Sequence, residues 1–252
     1  MKIPLLFLPI IAFALSCNTE TMEAPSDDKD EIVENLSLEE LAKRQVESQL
    51  SIPGTENYKL EIHRAHFDGD DIEDAVILVN REEFAHTSTS KDRVASQEQV
   101  AYTGNYNHLF YYNGATNKVS RPINIGSSPF ASLKINILNI QSEAYKDFTL
   151  DYRIMENCYR NYYTIFRGVP KLVFQWPIFI LENNKDQQVN YIEFARGSYS
   201  LAKDILIYEG KIDTPLPENL RTDFDYSISK DGKMEYQFFY NPKQGKYFTN
   251  EK

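Results

Sequence analysis

Chemistry in this chain gathers in one short stretch, AHFDGDDIEDAVILVN, at positions 65–80. Asp68, Asp70, Asp71 and Asp74 crowd around Gly69, with His66 just before them. Carboxylates crowded in a tight loop would favour a cation if one is offered. His63 and His66 add imidazoles, and with Asp68 and Asp70 they make a candidate transition-metal set for a metal-dependent hydrolase. Side chains alternate along an extended chain, so His63 and His66 point to opposite sides of a regular strand, whereas a hydrolytic zinc needs three convergent ligands. A third reading involves no metal. Asp accepts backbone N–H bonds in turns, and Asp74 stands where a turn would feed the apolar run AVILV.

Elsewhere the sequence is sparing. It contains no G-x-S-x-G, H-E-x-x-H, phosphate-loop or dinucleotide fingerprint. Among its 37 acids no pair stands out as a glycosidase couple. Cys158 lies in ENCYRNYY with no histidine close in sequence to act as its base, which reads as a buried, inert thiol. The long segment 81–107 carries Tyr102, Asn105, Tyr106 and Asn107, and His108 follows it. Their rings and amides suit a sugar or a peptide, and long loops on β scaffolds often carry binding function. The simpler reading of this segment is an insertion with a turn at Gly104-Asn105.

HFDGDDIEDAVILV resembles the FG-GAP, integrin-like or VCBS-type repeat, whose loop runs roughly D-x-D-G-D-G-x-x-D before an apolar strand. The resemblance implies Ca²⁺ held by Asp68, Asp70 and Asp74 with the Ile72 carbonyl, and His66 beside them. His66 stands where the repeat has its first Asp, and Asp71 where it has a glycine. Two further segments, INILNIQSEAYKDFTLDYR and IEFARGSYSLAKDILIYEG, align with IHRAHFDGDDIEDAVILVN when Asp147 and Asp204 are matched to Asp74. Their loops, NIQSEAYKD and RGSYSLAKD, keep the Asp and little else of the carboxylate set. A residue that persists while its fellow ligands vanish fits a structural role.

Such loops need strands to hold them. Seventeen Tyr and 15 Phe against one Trp favour half-buried pleated surfaces. After residue 58 the chain runs through β-branched and aromatic segments, from KLEIHRAHF to KMEYQFFY, separated by turn signals such as YNGATN, NNKDQQ and SKDGK. One helix is clear: SLEELAKRQVESQL, 37–50, opens with a Ser37/Glu40 capping box and ends before Pro53-Gly54. A weaker helical pattern lies in 90–101. These features predict a mainly β, antiparallel domain over 36–252, with one N-terminal helix and about three blade-like units. The units form either a propeller-like array or an open sandwich; a closed propeller has roughly four or more blades.

The ends and the charge bound the function. Met1-Lys2 is followed by IPLLFLPIIAFALS, too short to span a bilayer comfortably and typical of a signal peptide over 1–16. Leu15-Ser16-Cys17 then resembles a bacterial lipoprotein box, which implies that Cys17 is acylated and anchors the chain to a membrane. In that case Cys158 has no disulfide partner. Residues 17–35 are acidic and polar, a tether by composition, and the run 26–31 resembles the acidic surface-export signals of Bacteroidetes lipoproteins. The formal charge of −10 with no basic cluster argues against nucleic acid. The sequence therefore predicts an outer-membrane lipoprotein of the bacterial envelope, periplasmic or surface-facing. It reads as a non-enzymatic binding or assembly module with a protein or glycan partner.

Overall fold

The structure, a computed structural model, describes residues 36–89, 104–181, 188–221 and 223–249. The leader at 1–16, Cys17 and the tether at 17–35, the helical pattern at 90–101, Tyr102 and most of the NNKDQQ turn lie outside the described residues. No helix among the described residues is long and apolar enough to cross a membrane.

The domain that starts at Ser37 is mainly β, with two antiparallel sheets. Helix α1 (Leu38–Leu50) begins as its capping box requires. The Glu40 N–H donates to Ser37 Oγ at 3.3 Å and the Ser37 N–H donates to Glu40 Oε2 at 2.9 Å. Ser51 closes it in the left-handed region, φ 52°, and the Ile52 N–H returns to the Glu47 carbonyl at 2.9 Å. Ala42 and Val46 form its buried face against Ile77, Val79 and Phe110.

Those partners belong to the first sheet: β1 (Lys59–Ala65), β2 (Asp74–Asn80), β3 (Asn107–Asn113) and β4 (Lys118–Val119), with β5 (Ile123–Ile125) also paired to β3. Every residue of β2 is buried, because both faces of the sheet are covered. Alternation sends Ile77 and Val79 to α1, while Val76 and Leu78 face the second sheet and meet Phe148, Leu150 and Tyr163.

The second sheet is one meander of consecutive strands: β6 (Lys134–Leu138), β7 (Asp147–Ile154), β8 (Asn157–Phe166), β9 (Val169–Ile180), β10 (Gln188–Ala195), β11 (Asp204–Ile212), β12 (Ile228–Asn241) and β13 (Lys246–Phe248). It folds back on itself. In a flat sheet β9 and β12 would lie about 14 Å apart, yet the Phe174 and Phe238 rings are 4.7 Å apart and Trp176 is 5.0 Å from Phe238. The fold falls between β9 and β10, which share only two residue pairs, Gln188 with Ile180 and Val189 with Phe179. Pro177 explains the break. Its carbonyl faces β10 and accepts from Asn190 Nδ2 at 2.9 Å. The N–H that proline lacks is therefore missing on the side where the ladder would continue.

The result is a layered sandwich: α1, the first sheet, the β6–β9 half, and the folded-over β10–β13 half. Of the two arrangements open to the sequence, the sandwich is the one formed, and the second and third units share a sheet rather than standing as separate blades. Three local expectations are corrected. SKDGK is not a turn but part of β12, where a bulge opposite Tyr208–Gly210 absorbs the additional residues. The DFDYSIS run is mostly irregular and becomes strand only from Ile228. A second short helix, α2 (Glu82–Thr89), follows β2; Asn80 Oδ1 accepts the Glu82 N–H at 3.2 Å and two acids fill its first turn.

Candidate functional site

Three loops have one frame. Residues 66–73, 139–146 and 196–203 each connect two antiparallel strands whose last pair is Ala65 with Asp74, Leu138 with Asp147, or Ala195 with Asp204. All three Asp are buried. Asp74 accepts the Phe67 N–H at 3.3 Å and the Gly114 N–H at 3.0 Å. Asp147 Oδ2 accepts the N–H groups of Ile140 and Gln141 at 3.0 and 2.7 Å. Asp204 accepts the Ser198 N–H at 3.1 Å, the Ser198 hydroxyl and Gln237 Nε2. A carboxylate that opens a strand thus satisfies the loop's own donors, which would otherwise be buried without partners. Burial pushes the Asp147 carboxyl above its usual range, against the pull of the Gln141 N–H.

In the first loop the remaining carboxylates also serve the backbone. Asp68 Oδ1 accepts the Asp70 N–H at 3.0 Å, and Asp70 Oδ1 accepts the Ile72 N–H at 2.8 Å, two successive Asx turns. Asn113 Nδ2 donates to Asp68 Oδ2 at 3.3 Å. His66 Nδ1 lies 3.3 Å from the Ile72 carbonyl, the atom that the repeat resemblance assigns to Ca²⁺. Burial, then the charges of Asp74 and Asp70, raise the Asp68 carboxyl. Tyr111, beside this group, has its phenol pushed up by burial and by Asp74. The structure gathers His66, Asp68, Asp70, Ile72 and Asp74 in one loop but aims them at peptide N–H groups and each other. Among the described residues no three His, Cys, Asp or Glu side chains converge to hold a metal. His63 turns elsewhere, toward Glu61 at 3.3 Å.

No family model, curated protein or solved structure matches the chain. The repeat resemblance therefore stands on the loop residues alone.

The second candidate set divides. Asn105 is exposed, but Tyr106, Asn107 and His108 are interior. Asn107 Nδ2 donates to Ser127 Oγ and the Ser128 carbonyl at 2.8 and 2.9 Å, and its Oδ1 accepts from Asn80 at 2.8 Å. His108 Nδ1 bonds Asn124 Oδ1 at 2.8 Å, and burial lowers its pKa. These groups hold the loop ends together, so they are not free to meet a sugar or peptide. Aromatic and amide residues serve buried networks as well as ligands, which is why their types alone misled.

Sequence reasoning missed a buried polar cluster in the second sheet. Arg160 grips Asp151 with two bonds of 2.6 and 2.8 Å, Tyr226 donates to the same carboxylate at 3.0 Å, and Cys158 Sγ lies 3.3 Å from the Tyr226 hydroxyl. Burial, then Asp151, pushes the Cys158 thiol up to about 12, so it is protonated and inert, as its surroundings in sequence implied. A cavity of about 210 Å³ opens beside Arg160 where β9 and β10 part, lined by Ile178, Asn190 and Ile192. The signal was the pair of opposite charges two residues apart, Asp151 and Arg153, with Arg160 following across the β7–β8 hairpin.

The groups left facing outward include large apolar ones beside the exposed Asp70 and Asp71. Leu201 is 97% exposed and Tyr199 66%, at the tip of the third Asp-framed loop. Ile72 is exposed at the tip of the first.

Proposed function

We propose that the chain is an exported bacterial envelope lipoprotein, held at the outer membrane through acylated Cys17. Its β domain acts as a non-enzymatic binding or assembly module for a protein or glycan partner. The apolar leader ending in Leu15-Ser16-Cys17 supports the anchor. The observation that carries the module reading is the contrast between inside and outside. Chemically able side chains (the framing Asp residues, Cys158, Asn107, His108) are committed to internal bonds or burial, while the third loop tip presents Tyr199 and Leu201 and the first exposes Ile72 beside Asp70 and Asp71. Exposed apolar tips on a rigid β scaffold suit recognition rather than turnover.

Two experiments test it. In cells the parent should take up radiolabelled fatty acid and Cys17→Ser should not; an unlabelled parent overturns the anchor. A photo-crosslinker placed at Ile72 or Asn105 in cells should give discrete adducts of fixed mass with a protein or glycan. A smear that is identical for a crosslinker at exposed Glu218 overturns the module reading.

A further inference from the structure

Three separate segments meet at one end of the second sheet. The first is the β8–β9 hairpin tip, where Phe166 and Val169 are each 51% exposed. The second is the β12–β13 turn; Gly245 there lies so close to the hairpin that a Cβ on it would run into Lys171 Nζ. The third is the loop 196–203. Its Tyr199 ring lies 4.9 Å from Phe239 and 6.5 Å from Phe248, and the Tyr247 hydroxyl donates to the Lys203 carbonyl at 2.8 Å.

The composition of this end is unlike the rest of the chain. Residues 164–172, 196–203 and 239–249 contain six Lys and Arg and no Asp or Glu, in a chain with 37 acids and 27 bases. Lys203 is paired with Glu143 at 3.2 Å. Arg167, Lys171, Arg196, Lys243 and Lys246 have no acidic partner among the described residues. Arg167 and Lys171 instead lie over the Phe166 ring at 5.2 and 5.3 Å. Cations here frame apolar tips without being neutralised.

We infer that this end is a membrane-contact face, which seats Leu201, Tyr199, Phe166 and Val169 at the headgroup level of a bilayer containing anionic lipid. Aromatic and aliphatic tips bury in the interface, and long basic side chains lay their stems along the apolar surface while their charges reach the headgroups. A protein of net charge −10 has reason to turn this base-rich end, where Glu143 is the acid paired to Lys203, toward an anionic surface. The contact is separate from the acyl anchor and would orient a domain that the anchor merely tethers.

The test uses the mature chain from position 17 carrying Cys17→Ser, so that neither the leader nor an acyl group contributes. Co-sedimentation is measured with vesicles of phosphatidylcholine alone and with one third phosphatidylglycerol. The anionic vesicles should bind at least tenfold more protein, and raising salt from about 0.05 to about 0.5 M should abolish the difference. Tyr199→Ser with Leu201→Ser, and separately Lys243→Glu with Lys246→Glu, should each lower partition about tenfold without changing the melting temperature. Equal binding to both vesicle types, no binding to either, or binding that both double variants leave intact overturns the proposal. Tighter binding to soluble polyglutamate than to anionic vesicles, insensitive to the apolar variant, overturns it in favour of an acidic protein partner. Failure here leaves the acyl-anchor reading standing, because that reading is tested by fatty-acid labelling of the parent cysteine and not by vesicle binding.

Discussion

The loops 66–73 and 196–203 are built on the same frame and present opposite surfaces. Both close on a buried Asp that takes an N–H from the loop and a second bond from the third strand of its unit or the residue just after it. The first loop then fills its tip with Asp68, Asp70 and Asp71, whereas the third carries Arg196, Tyr199 and Leu201. What is buried sets the path of the chain, and what is exposed is free to change. A motif recognised by its exposed carboxylates can therefore keep its architecture after losing its ligands.

The sharpest way to break this comparison is to remove the shared part. Asp74→Ala and Asp204→Ala should each lower the unfolding free energy by about 2–4 kcal/mol in urea titrations, since two or more buried donors lose their acceptor. A loss below about 1 kcal/mol at Asp204 would show that the third loop does not depend on the frame. The middle loop sharpens the point through pH. Burial raises the Asp147 carboxyl in the folded state, so the native protein binds this proton more readily than the unfolded chain. Its charged form therefore opposes folding. Its contribution improves as pH falls through the raised folded value, the reverse of a salt-bridged carboxylate. Asp147→Asn, which keeps an acceptor oxygen, should accordingly compare best with the parent near neutral pH and lose that advantage in acid. Chemical denaturation across pH checks it.

Smaller effects distinguish the tips. Asp70→Ala removes one exposed Asx turn and should cost about 0.5–1 kcal/mol. Tyr199→Ser with Leu201→Ser should stay within about 0.5 kcal/mol of the parent, because exposed side chains contribute little to folding. Millimolar Ca²⁺ should leave the melting temperature within about 1 °C, because the first loop's carboxylates already hold peptide N–H groups. A clear rise would restore the ligand set of Asp68, Asp70, Asp74 and the Ile72 carbonyl.

How much of this was legible follows from which forces are local. The α1 boundaries were readable because a capping box is a contact over three residues. The Asp frame was readable because Asp74, Asp147 and Asp204 recur before alternating strands, a pattern that only a backbone role requires. SKDGK misled because Gly and Asp mark bulges as readily as turns, and the choice is made by the partner strand β11. Tyr106, Asn107 and His108 misled because burial depends on Ser127, Ser128 and Asn124, which arrive from later in the chain. In the buried cluster Asp151 and Arg160 face each other across the β7–β8 hairpin, a local pairing, whereas Tyr226 arrives from 75 residues later and was invisible for the same reason.

The break at Pro177 has a thermal consequence. Two residue pairs of backbone ladder join β10–β13 to the rest of the second sheet, a few single bonds such as Lys203 N–H to the Ile140 carbonyl add to them, and aromatic packing around Phe174, Trp176 and Phe238 lies between the two halves. Apolar attraction weakens on cooling, while peptide hydrogen bonds do not fade in the same way. Near the freezing point the last four strands should be the first part of the domain to loosen, as a leaf held by glue rather than by stitches.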